Sequence, residues 1–134
     1  VDGRPIAISD IRAPIFAVGT ERDHVAPWRS AFKIHLLADT DVTFLLATGG
    51  HNAGIVAGRN RTGGSFQVLT RSSVGHYLDP DTWTKIAPRF EGSWWPEWAR
   101  FLNEHSALPV VPPPMGGPRQ DMLGDAPGQY VLQR

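Results

Sequence analysis

Two short apolar runs, each closed by glycine and a polar cluster, do most to limit the folds open to this chain. Ile15, Phe16, Ala17 and Val18 form the first, and residues 42–47 form the second. Both are continuously apolar or nearly so, the pattern of strands buried on both faces of a parallel sheet. Between them Pro27 suits the first turn of a helix running to about Ala38. Trp28, Phe32 and Leu36 fall at i, i+4 and i+8, with Ala31 beside them, and make its apolar stripe. Asp39, Thr40 and Asp41 break it. Strand, helix and strand in this order form a βαβ unit with parallel strands and a right-handed crossover.

The pattern weakens beyond the second run. Residues 52–56 have the makings of a helix start, residues 58–64 read as a polar loop and residues 65–69 as a short edge strand. Asp81 is the expected N-cap of a short helix through Ala87, with Pro80 just before it. Ser93 is the expected cap of a second helix over 94–105, with Pro96 tolerated in its first turn. From Leu108 onward Pro109, Pro112, Pro113, Pro114 and Pro118 exclude regular structure and predict an extended tail or a surface strap. Glycine and proline number 14 and 12, together above ordinary usage, and seven of the prolines fall in the last third of the chain. No internal repeat is present.

With 134 residues the chain lies within the size range of one domain. Thirteen basic and 13 acidic residues give no electrostatic reason to expect a nucleic-acid or membrane-surface partner. There is no cysteine, which removes disulfides, zinc thiolates and a cysteine nucleophile from this chain. No apolar run approaches the roughly 20 residues that span a bilayer. His35, His76 and His105 lack an acidic or histidine partner at ligand-like spacing, so they read as surface or interface residues and no metal site is expected.

The chemistry lies in the polar loops that close the two runs: residues 19–24, ending in Asp23 and His24, and residues 49–54, containing His51 and Asn52. Parallel strands end at one edge of the sheet, and open α/β folds place their sites there. Neighbouring strands lie about 4.8 Å apart, which brings a carboxylate and an imidazole on adjoining loops within hydrogen-bonding reach. Such a carboxylate holds one imidazole tautomer and stabilises the imidazolium formed when the ring takes a nucleophile's proton. The order Asp23 then His51 matches the last two members of the α/β-hydrolase sequence of nucleophile, acid and histidine. Each element also has a purely structural use. An aspartate after a strand is a common turn former, and His24 either lines the site or is a solvated loop residue. Trp83, Trp94, Trp95 and Trp98 fit core packing better than a ligand groove. The run of three prolines at 112–114 fits a linker better than a polyproline ligand.

Residues 16–28, 50–56 and 92–98, the last with Ser93, Trp94, Trp95 and Pro96 in succession, resemble the C-terminal part of polyhydroxyalkanoate synthases. The ending at 126–131 is similar to that of the long, single-subunit type. The resemblance implies an α/β-hydrolase-like catalytic domain, of which this chain would be the C-terminal portion: one βαβ unit, late helices and a Pro/Gly-rich tail. Residues 1–107 would then belong to the catalytic domain, incomplete as a domain, and 108–134 would form the tail. It implies polymerisation of 3-hydroxyacyl-CoA into a polyester with release of CoA, by a Cys, Asp and His triad. Asp23 would be its acid and His51 its base, with His24 and Asn52 as candidates for substrate contact, and neither metal nor organic cofactor is implied. The implied partners are 3-hydroxyacyl-CoA, the growing polyester chain, the missing N-terminal half of the domain and a second copy of the chain. The implied location is the cytoplasm, at the polyester granule surface.

The family nucleophile lies upstream in a Gly-x-Cys-x-Gly motif, and this chain has no counterpart. Ser9, Ser30 and Ser65 lack the strand-to-helix elbow that exposes a nucleophile, so the isolated chain is expected to have no synthase activity. One βαβ unit alone would leave a two-stranded sheet with both edges open, which predicts association or exposed apolar patches. Two alternatives stay open: the C-terminal part of an esterase or polyester depolymerase using serine, and a truncated, non-catalytic dimerisation or granule-association module.

Overall fold

The two apolar runs become adjacent parallel strands. β1 (Ile15–Thr20) pairs with β2 (Val42–Ala47) from Ile15 opposite Val42 to Thr20 opposite Ala47. The computed structural model describes residues 2–3, 5–56, 58–60, 62–113 and 124–133. β2 is buried along its whole length, whereas the first four residues of β1 are only half-buried. The difference comes from position, because β2 is paired on both sides and β1 forms an edge.

Among the described residues the sheet has four strands rather than two. β3 (Ser65–Arg71) runs antiparallel to β2, and β4 (Arg89–Glu91) runs antiparallel to β3, in the order β1-β2-β3-β4. This corrects the expected two-stranded sheet, and it moves residues 65–69 from an edge to an interior strand. Hydrophobic pattern reports how many faces of a strand are buried, not how many neighbours it has. A strand as short and polar as Arg89, Phe90 and Glu91 carries no readable period.

The connection between β1 and β2 is two four-residue helices, α1 (Trp28–Ala31) and α2 (Ile34–Leu37), rather than one helix. The N–H groups of Lys33, His35 and Leu36 donate to carbonyls three residues back, at Ser30, Phe32 and Lys33. Tightening to about three residues per turn puts positions i and i+3 on one face. The rings of Phe32 and His35 accordingly lie 4.5 Å apart and are both buried, while Leu36 is 59% exposed. Leu36 therefore drops out of the expected apolar stripe, and His35 is a core residue instead of a surface one.

Apolar side chains on the two faces of β2 seed two core clusters. Phe44 and Leu46 pack with Phe32, Trp83 and Ala87 on one face; Leu45 and Ala47 pack with Phe66 and Trp94 on the other. Trp83 comes from α3 (Pro80–Ile86). That helix is capped by Asp79, whose Oδ1 accepts the N–H groups of Asp81 and Thr82, each at 3.0 Å. Pro80 occupies the first helical turn, where a missing N–H costs nothing, and this moves the cap two residues back from Asp81. α4 (Trp95–Glu104) follows Ser93, whose Oγ accepts the Trp95 N–H, and Phe101 packs its ring 5.2 Å from Phe16. Past α4, residues 108–113 are exposed and carry neither helix nor strand, and a 3-10 turn lies at Tyr130–Leu132. Pro114 and Pro118 lie outside the described residues. Among the described residues no helix is long and apolar enough to cross a membrane.

Candidate active site

The parallel pairing of β1 and β2 continues past the strand ends. Glu21 N–H donates to the Ala47 carbonyl at 2.9 Å and Arg22 N–H to the Gly49 carbonyl at 3.0 Å. The loop that carries Asp23 is thereby stapled to the loop that carries His51. Asp23 Oδ1 accepts the N–H groups of Val25 at 2.9 Å and Ala26 at 2.8 Å, a local turn that orients the carboxylate. Its other oxygen, Oδ2, lies 2.9 Å from His51 Nδ1.

The electrostatics follow from these bonds. The Ala26 amide above all, then the His51 ring and the Val25 amide, hold the Asp23 carboxyl down at about 2, against partial desolvation. Asp23 is therefore a carboxylate at neutral pH and can only accept, so His51 Nδ1 donates and the neutral ring keeps its lone pair on Nε2. The Asp23 side chain is 8% exposed and that of His51 45%. A covered acid behind an accessible base is the arrangement that proton transfer to and from a bound group requires. Nε2 has no hydrogen-bond partner among the described residues.

Residues 50–56 close a single turn instead of starting a helix. Gly54 N–H donates to the Gly50 carbonyl, and Ile55 and Val56 donate to that of Asn52. Gly49 is needed here because its φ is 124° and a Cβ would sit 2.9 Å from Gly54 Cα. Gly54 is needed because a Cβ would run into Thr20 Cγ2 at the end of β1. The indole N–H groups of Trp94 and Trp95 reach the same turn, at the carbonyls of Gly54 and Ile55. That contact spans 40 residues of chain, so no local spacing announces it.

His24 and Asn52 flank the pair in sequence and are both exposed; their side chains make no hydrogen bond to it. Ser9 lies in a 3-10 turn, Ser30 in α1 and Ser65 in β3, where its Oγ accepts from Arg89. None of the three stands on a strand-to-helix turn. No group of three metal-ligating side chains occurs among the described residues. A cavity of about 310 Å³ bordered by His35, Arg71, His76 and Trp83 lies elsewhere. Arg71 pairs with Val42 at the start of β2, so this cavity sits at the far end of that strand from His51. There Arg71 Nε donates to His35 Nδ1 at 3.3 Å. Burial first, and the Arg71 charge second, push His35 down to about 4.

No family model matches the chain. It is 32% identical over 135 residues to the poly(3-hydroxyalkanoate) polymerase subunit PhaC of Rhizobium etli, covering all of this chain and 20% of that protein. It is 32% identical over 141 residues to poly(3-hydroxyalkanoate) polymerase 2 of Ectopseudomonas oleovorans, covering 100% and 23%. The polymerase subunit PhaC of Cupriavidus necator is 30% identical over 135 residues, covering 98% and 22%. The chain thus spans about a fifth of the length of these relatives.

Proposed function

Because this chain belongs to the poly(3-hydroxyalkanoate) polymerase family, we propose that it carries the acid and the base of an acyltransferase that links 3-hydroxyacyl groups into a polyester. The observation that carries the assignment is the 2.9 Å contact between His51 Nδ1 and Asp23 Oδ2, on a histidine side chain that is 45% exposed. In this scheme His51 Nε2 takes the proton of a cysteine thiol supplied by a preceding segment of the enzyme. The thiolate attacks the thioester carbonyl of 3-hydroxyacyl-CoA, and CoA leaves as its thiol with the proton His51 returns. The hydroxyl of another 3-hydroxyacyl group then attacks the enzyme thioester. His51 takes its proton and passes it to the departing enzyme thiolate, so the cycle closes without a cofactor. Asp23 keeps His51 in the tautomer this requires and stabilises the imidazolium in both halves.

The wider arrangement belongs to the same proposal. β1 and β2 are two C-terminal strands of an α/β-hydrolase-like sheet, with Asp23 and His51 on the loops at its carboxyl edge. The remaining strands would extend the sheet from the open edge of β1, and residues 108–134 would form a tail beyond the catalytic domain. His24 and Asn52 are placed to meet substrate. The assembled enzyme would act as a homo-oligomer in the cytoplasm, at the surface of its polymer granule. The chain by itself would be inactive, because it contains neither the nucleophile nor the oxyanion donors that accompany it.

The test is a chimaera in which this chain replaces the matching segment of the Rhizobium etli polymerase, assayed with 3-hydroxybutyryl-CoA for free CoA and for polymer. The expected result is both products, with His51→Gln lowering the rate by about 10³-fold or more. Full activity in His51→Gln refutes the base assignment. CoA release accompanied by free hydroxy acid and no polymer would assign the site to a hydrolase instead.

A further inference from the structure

We propose that Trp94 and Trp95 are positioning residues that clamp the turn bearing His51; the inference rests on the acid–base assignment above. Trp94 Nε1 donates to the Gly54 carbonyl at 2.9 Å and Trp95 Nε1 to the Ile55 carbonyl at 3.0 Å. These carbonyls stand at the C-terminal end of a single turn, where backbone acceptors have no partner within the turn itself. The donors are anchored. Trp94 is 7% exposed and packs on Leu45 and Ala47 of β2 and on Phe66 of β3, and its ring lies 6.2 Å from that of Trp95 in an edge-on contact. The turn also meets Thr20, against which Gly54 fits with no room for a Cβ. The His51 turn is therefore held both by the last residue of β1 and by two indole donors packed on the sheet. Displacement of a catalytic group by about 1 Å is enough to cost about a hundredfold in rate, so a clamp of this kind bears directly on the base. Trp98 belongs to the same aromatic cluster, is 39% exposed, and donates to neither carbonyl.

The test compares the unchanged chain, the double variant Trp94→Phe/Trp95→Phe, and Trp98→Phe by NMR. Two signals are read: amide hydrogen exchange at Gly54, Ile55 and Val56, and the ¹⁵N signature of the His51 tautomer. The double variant is expected to exchange those amides about tenfold faster or more and to lose the single Nδ1–H tautomer, with β2–β3 amides unchanged. Trp98→Phe is expected to leave both signals as they are. A 3-benzothienylalanine replacement at both positions keeps the bicyclic ring and removes only the N–H, so it reads the clamp even where phenylalanine unfolds the chain. Unchanged exchange and an unchanged tautomer in these variants overturn the clamp while the acid–base pair stands. A mixed tautomer in the unchanged chain overturns the acid–base assignment instead, and amide exchange then decides the clamp alone.

Discussion

Lowering the pH from neutral should destabilise this fold through His35. The ring is buried between Phe32 and Phe44 and faces the Arg71 guanidinium, which together hold it at about 4 against an ordinary 6.5. In the unfolded chain the same imidazole protonates as the pH falls through 6.5, whereas in the fold it stays neutral until about 4. Between those values the unfolded state holds more protons, so stability falls as the pH falls, and below about 4 this contribution stays constant. From about pH 7 to about pH 4.5 the loss comes to about 2.4 kcal/mol if the whole depression counts, and about 1–2 kcal/mol once solvent in the adjoining cavity screens part of it. Asp23 and Asp79, both lowered from 3.8, act in the same direction only below that value, outside the window. Urea unfolding followed by tryptophan fluorescence reads the effect as a midpoint lower by about 1 M at the acid end. His35→Leu also costs Arg71 an acceptor, but at both pH values, so the difference between them isolates the titration. A His35→Leu chain that loses as much stability on acidification as the unchanged chain would refute the argument.

Two other substitutions test the local geometry. Gly54→Ala is expected to cost about 2–3 kcal/mol, because its Cβ meets Thr20, and part of that cost should vanish in a Thr20→Ser background, which lacks Cγ2 but keeps the 3.1 Å approaches of the Gly50 carbonyl and the residue-20 Cβ. Equal losses in both backgrounds, measured by urea midpoint, would remove Thr20 from the account. Asp79→Ala should lower the urea midpoint by about 0.5 M, because α3 loses its cap. Asp81→Ala, which removes an exposed ion pair with Arg29 and a first-turn carboxylate but no cap, should move the midpoint by less than that; the reverse order would move the cap back to Asp81.

The part of the molecule legible from residue order is the part written in local pattern. The continuous apolar runs at 15–18 and 42–47 require two strands with at least one buried on both faces, and a connection with helix signals makes them parallel. Parallel strands end at one edge, which is why the loops holding Asp23 and His51 meet and why their hydrogen bond was legible beforehand. The rest depends on contacts between distant segments. One period change, from 3.6 to about three residues per turn at Lys33, exchanges Leu36 for His35 in the core, and no composition or motif marks that change. β3 gains a second neighbour only because residues 89–91 return to it, and the indoles of Trp94 and Trp95 find their carbonyls 40 residues away. Periodicity along a chain records which face of each element is buried. It holds no record of which distant segment does the burying, because that is set by the simultaneous packing of elements around β2.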